Sequence, residues 1–70
     1  MKNKLKVLRA MQDLTQQELA DKIQVSRQTI NTIEKGKYIP STLLALKMAA
    51  VFQVNVLEIF EIEESDWSKN

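Results

Sequence analysis

Between Ser26 and Tyr38 the chain gathers side chains that hydrogen-bond in planar, two-pronged geometry: Arg27, Gln28 and Asn31, followed by Thr32, Lys35 and Lys37. A guanidinium fork matches the acceptor edge of guanine, a primary amide matches adenine, and a threonine methyl can meet the methyl of thymine. This is recognition chemistry, not bond-making chemistry. The 70 residues contain no His and no Cys, so imidazole bases, thiol nucleophiles and the usual zinc ligands are missing. The acids between 58 and 66 have no glycine-rich loop or basic cluster beside them and read as a solvated tail. No enzyme, no cofactor and no metal site is expected, and no small-molecule ligand is evident.

The recognition residues need a rigid carrier. A helix starting at Ser26 and turning by about 100° per residue sets Ile30 and Ile33 on one side. Gln28, Asn31, Thr32 and Lys35 then fall on the other side, with Arg27 and Thr29 on its flanks. Glu34, the one acid of this helix, turns towards the apolar side. Solvated helix faces usually mix Glu with Lys; a face without acids suits a polyanion. Charge follows the same division: residues 1–41 hold eight Lys/Arg and four acids, residues 42–70 two Lys and five acids.

Around this carrier the chain reads as all-α, with five helices. One Gly and one Pro, Gly36 and Pro40, are the only strong breakers. The first helix covers about Lys4 to Met11, with Leu5, Leu8 and Met11 at helical spacing. The second follows Thr15, whose spacing to Glu18 is that of a capping box, with Leu14 and Leu19 as hydrophobic staple. Val25-Ser26 with Ile30, and Val54-Asn55 with Ile59 and Glu58, repeat the device. The third helix stops at Gly36. The fourth runs from Pro40-Ser41 to about Phe52, apolar on nearly all sides, and is expected to be the central buried helix. The fifth is short, Val56 to about Phe60. Only Ile23, Gln24 and Val25 separate the second helix from Ser26, a break that makes two helices cross steeply, with Ala20 where they touch.

After Phe60 the residues alternate apolar and acidic. A frayed acidic tail is the simpler expectation; the other reading pairs this segment with the lysine-rich N-terminus as a small sheet. Trp67 is expected to fold back over the bundle or over a second copy. Seventy residues make one domain, 1–70, with the motif at about 16–35 and an acidic extension at 61–70. A domain this small without a disulfide gains from a homodimer. No stretch approaches the roughly 20 apolar residues of a membrane span, no signal peptide is seen, and the expected location is the cytoplasm.

Residues 5–60, and above all TQQELADKIQVSRQTINTIEKGK, resemble the Xre/Cro–C1 family of phage and bacterial repressors, most closely its short one-domain members. The resemblance implies a five-helix λ-repressor-like bundle. It implies that Gln16 clamps a phosphate at the start of the second helix, that Arg27, Gln28 and Thr32 face base edges, and that Asn31 serves bases or phosphate. Ser26 and Thr29 join the phosphate set, and Lys35, Lys37 and Tyr38 match the loop along the DNA backbone. Arg9 and Glu34 match a structural ion pair; the other reading of Arg9 is a second phosphate contact. Two departures stand out: Gln24 and Gln53 occupy positions where the family usually has glycine.

The expected function is a sequence-specific double-stranded DNA-binding transcriptional regulator, a repressor on an inverted-repeat operator, acting as a homodimer with contacts near Leu57 and Phe60. The alternative is an antitoxin-type protein whose C-terminal segment holds a protein partner.

Overall fold

The computed structural model describes residues 1–68. In chain order its elements are β1 (Lys2–Asn3), α1 (Leu5–Met11), α2 (Gln16–Ile23), α3 (Arg27–Glu34), α4 (Thr42–Phe52), a 3-10 turn at Val56–Glu58, β2 (Phe60–Glu61) and a 3-10 turn at Glu64–Trp67. The last two residues of the acidic extension, Lys69 and Asn70, lie outside the described residues.

Side-chain caps set the helix starts. Thr15 Oγ1 accepts the Glu18 amide at 3.0 Å while Glu18 Oε1 accepts the Thr15 amide at 2.9 Å. Ser26 caps α3 through the Thr29 amide, and Ser41 caps α4 through the Leu44 amide. Each cap satisfies a first-turn donor that has no partner within its own helix. The helix ends are equally uniform. Asp13, Gln24, Gly36 and Gln53 all take positive φ, between 53° and 74°. The amide after each one reaches back to the helix: Leu14 to Arg9, Val25 to Ala20, Lys37 to Thr32 and Val54 to Ala49, at 2.9–3.1 Å. Only one of the four left-handed residues is a glycine, although that conformation disfavours any side chain.

Leu5, Leu19, Ala20, Ile23, Ile30, Ile33, Leu44, Met48, Phe52, Ile59 and Phe60 form one core. Ala20 is fully buried, as expected where α2 and α3 cross. Three expectations are corrected here. There are four α-helices among the described residues, not five. The capping box of Asn55 and Glu58 does start a helical turn, but the chain must enter β2 at Phe60, which leaves no room for a second turn. The fourth helix is not buried all round: Leu44, Met48 and Phe52 face the core, while Leu43 and Leu46 are 65% and 54% exposed. Met11 is 76% exposed.

The tail does not fray at Phe60. β1 and β2 pair antiparallel, with Lys2 opposite Glu61 and Asn3 opposite Phe60, and the Lys4 amide donates to Ile59 O at 2.8 Å. Opposite charges face each other across this ribbon, an arrangement that favours pairing. The Met1 amino group then sits 2.8 Å from Glu63 and 3.2 Å from Asp66. Their hydrogen bonds and charge lift its pKa despite some desolvation.

Candidate nucleic-acid interface

The short turn at Gln24 and Val25 delivers α3 to the surface with Ile30 and Ile33 buried and its opposite side open. Ser26, Arg27, Gln28 and Lys35 are exposed; Thr29, Asn31 and Thr32 are half-buried. Around Gln28 lie two shallow recesses. One, of about 340 Å³, is lined by Gln17, Arg27, Gln28 and Asn31. The other, of about 310 Å³, is lined by Gln28, Thr29, Thr32, Lys37 and Tyr38. Arg27, Gln28, Asn31 and Thr32 thus share one face, and Lys37 and Tyr38 stand at its edge. Thr32 Oγ1 donates to the Gln28 carbonyl at 2.7 Å, which turns its hydroxyl back on the helix and leaves the methyl as its outward group.

The Glu34 side chain is 6% exposed and receives Arg9 in a two-pronged pair: Nε to Oε2 at 2.5 Å and Nη2 to Oε1 at 3.0 Å. Arg9 Nη1 also donates to Leu14 O at 2.8 Å. The hydrogen bond to Glu34 raises the Arg9 pKa further, against a smaller opposing effect of burial, so the guanidinium stays charged at any working pH. All three guanidinium nitrogens are engaged inside the fold, in the ion pair between Arg9 and Glu34 and at the Leu14 carbonyl.

The Gln16 side chain turns inward. Its Nε2 donates to Glu34 Oε1 at 3.1 Å and to Asn31 Oδ1 at 3.3 Å. An amide nitrogen has two hydrogens, and both are engaged, so in this arrangement the Gln16 side chain has no donor left for a phosphate. The reason lies with Glu34: a carboxylate only accepts, and it draws the amide nitrogen inward. Donors at this end of α2 are instead the first-turn backbone amides of Gln16 and Gln17, which point out of the helix start.

Ser26 Oγ is occupied as the α3 cap and shares a 3.0 Å contact with Thr29 Oγ1; its remaining capacity faces solvent. Lys35 closes α3 as an exposed residue beside Gly36. Leu57 is 73% exposed; Phe60 is 6% exposed and belongs to the core, and both line one apolar groove.

Two residues were missed in the sequence. Gln17 lines the recess beside Arg27 and Asn31, and its amide donates to Asp21 at 2.9 Å. Its place next to the α2 cap was the available signal. Lys47, from the acidic half of the chain, lines a recess of about 320 Å³ with Gln24, Thr29, Tyr38 and Ser41. No local motif marks it; only the fold brings it beside the turn.

The helix-turn-helix family profile matches residues 5–59. An HTH-type transcriptional regulator of Methanocaldococcus jannaschii is 56% identical over 66 residues, covering 94% of this chain and 100% of that protein. The HTH-type transcriptional regulator YgzD of Bacillus subtilis is 46% identical with the same coverage. Among solved structures, the SOS-response transcriptional repressor LexA of Eubacterium rectale superposes with a TM-score of 0.76 at 32% identity, over 94% of this chain and 70% of that one. Among the described residues, no helix is long and apolar enough to cross a membrane.

Proposed function

The chain belongs to the Xre, or Cro/C1-type, helix-turn-helix family of DNA-binding transcriptional regulators, and we propose that it works as a homodimeric repressor on an inverted-repeat operator. The observation that carries this reading is the outward side of α3, a polar and basic surface without an acid, held rigidly by a bidentate ion pair behind it. Arg27, Gln28, Asn31 and Thr32 select the sequence from the major groove. The backbone amides of Gln16 and Gln17, the hydroxyls of Ser26 and Thr29, and Lys35, Lys37 and Tyr38 hold phosphates and set the docking angle. Residues 1–70 act as a single DNA-binding domain.

The dimer reading draws support from an apolar groove beside the terminal ribbon. Ile39, Leu46, Leu57 and Ile62 are each at least half exposed and surround an apolar groove of about 330 Å³ that also includes Pro40, Ala45 and Val56. A contiguous apolar surface rimmed by polar residues marks an interaction site. An inverted repeat with half-sites one turn apart needs two copies of α3 about 34 Å apart, a spacing that a second copy seated on this groove would have to provide. Blocking polymerase at such a site gives repression.

Selection from a random duplex library at about 150 mM salt tests the proposal. Enrichment of an inverted repeat with half-sites one turn apart is the expected result. Weak binding without enrichment, abolished by salt, would sink it and favour the antitoxin-type reading, in which the groove and Trp67 hold a different protein.

A further inference from the structure

We propose that Lys47 of α4 binds a DNA phosphate in the recess beside the turn between α2 and α3, a backbone anchor outside the reading face. The proposal rests on the operator-reading function above and adds to it a contact that helps dock α3 without choosing any base.

Lys47 is the one charged residue of α4 and stands in the half of the chain where acids outnumber lysines. It is half-buried, and among the described residues no acid lies within ion-pair distance of it. A lysine held partly out of water gains more from a nearby anion than a solvated one, because its surroundings screen the attraction less. The described part of the protein does not supply that anion.

The recess around it is chemically suited to an oxyanion. Its volume is about 320 Å³, and Gln24, Thr29, Tyr38 and Ser41 line it together with Lys47. An amide and three hydroxyls can all donate to phosphate oxygens, and no acid stands among the lining residues. Gln24 is held there at a φ of 63°, so a side chain is kept on this wall at a conformational cost that glycine would avoid. Backbone strain of this kind gathers at binding sites.

Shared walls fix where the recess lies relative to DNA. Thr29 and Tyr38 line it, and they also line the recess that holds Gln28, Thr32 and Lys37 on the reading face. The two recesses therefore adjoin. With α3 in the major groove, the second faces base edges. The first lies to its side, where the sugar-phosphate backbone borders the groove.

Four proteins measured on the inverted repeat selected from the library test this: the wild type, Lys47→Met, Lys47→Arg and Lys22→Met. Methionine keeps the apolar stem without the charge, and arginine keeps the charge. Lys22 is an exposed lysine of α2 outside the recess. Lys47→Met should bind roughly fivefold to tenfold more weakly at about 0.1 M salt, with a salt slope smaller by about 0.9 and the same preferred sequence. Lys47→Arg and Lys22→Met should stay near the wild type. Operators with one neutral methylphosphonate at a time then locate the contact. One symmetric pair of positions should weaken the wild type and leave Lys47→Met unaffected. If Lys47→Met keeps the wild-type slope and the wild-type response at every methylphosphonate, the proposal fails. An equal loss of slope in Lys22→Met would reduce the effect to net charge and overturn it as well. So would a melting temperature raised by inorganic phosphate in the wild type and not in Lys47→Met, with equal DNA slopes, since the recess would then hold the free ion. If the wild type enriches no sequence, the operator reading itself falls and this contact with it, a result recognised by the missing selection.

Discussion

Arg9 and Glu34 lie 25 residues apart and meet in two parallel hydrogen bonds with both side chains largely out of water, 14% and 6% exposed. Removing one partner leaves the other charge buried without compensation. Arg9→Ala should therefore destabilise the domain by about 3 kcal/mol and lower the melting temperature by more than about 10 °C. Replacing both residues by Met should restore most of that stability. The double variant would still lose the orientation of Gln16, so a stability equal to that of Arg9→Ala would show that burial of charge is not the issue.

The left-handed helix ends predict gains. Gln24→Gly and Gln53→Gly should each stabilise by roughly 0.5–1 kcal/mol, the relief of a disfavoured φ less the greater freedom of glycine in the unfolded chain. Gly36→Ala should destabilise by about 1 kcal/mol although nothing lies within 4 Å of the added carbon, because the φ of 74° alone strains it. Denaturant midpoints measure all three; a neutral Gly36→Ala would show that the turn relaxes.

Much of this frame was legible beforehand. A hydroxyl or amide three residues before an acid announces the caps at Thr15 and Asn55, and a serine just ahead of a helical apolar pattern those at Ser26 and Ser41, so these starts could be read without knowledge of the fold. The outward face of α3 was legible for the same local reason. What failed depended on contacts between distant segments. Helical spacing cannot say whether Leu43, Leu46 or Met11 has a partner to cover it. Nor could it foresee that Phe60 enters the core as a strand residue, or that Glu34 draws the Gln16 amide inward. Asp13 escaped notice because its left-handed turn has no glycine to mark it.

On DNA, Arg27→Ala and Gln28→Ala should each weaken the best site by about 1–3 kcal/mol and relax the preference at the bases they meet. Lys37→Ala should weaken every sequence alike and reduce the salt slope by about 1. Binding isotherms at several salt concentrations separate the two patterns, and intact affinity in both α3 variants would mean that another element reads the bases.

Leu57 offers the mildest test of the apolar groove. It is 73% exposed, so Leu57→Glu should leave the monomer's stability nearly unchanged while shifting sedimentation to the monomer and weakening the inverted repeat more than a half-site. An unchanged sedimentation coefficient would remove this groove as the dimer contact.

The clasp at the chain ends has a defined pH window. The Met1 amino group is held above its ordinary 8.0, chiefly by its hydrogen bond to Glu63. Its contribution is therefore complete below 8.0 and disappears as the pH rises through the raised value. Asp66 is held below its ordinary 3.8, first by the Glu63 backbone amide and then by the amino group. Its contribution is complete above 3.8 and is lost as the pH falls through the lowered value. Trp67 lies beside Met1, Ile39 and Ile62, so its fluorescence should be flat between these limits and change outside them. Asp66→Asn should abolish the acid limb; an unaltered acid limb would place the titration elsewhere.

β1 also joins two remote parts of the molecule: it pairs with β2, and the Asn3 side chain donates to the Ile33 carbonyl at 2.9 Å. The helices and their turns rest on near neighbours in the chain and can assemble early, whereas the ribbon closes almost the whole polypeptide into a ring. We expect that closure to be a late event in folding and the first to reverse in partial opening. Each time the ends separate, the Ile33 carbonyl in the last turn of α3 loses the Asn3 amide and keeps the Gly36 N–H alone. The terminal ribbon thus adds a second tie to the end of α3, and amide exchange at Lys4 reports how often that tie opens.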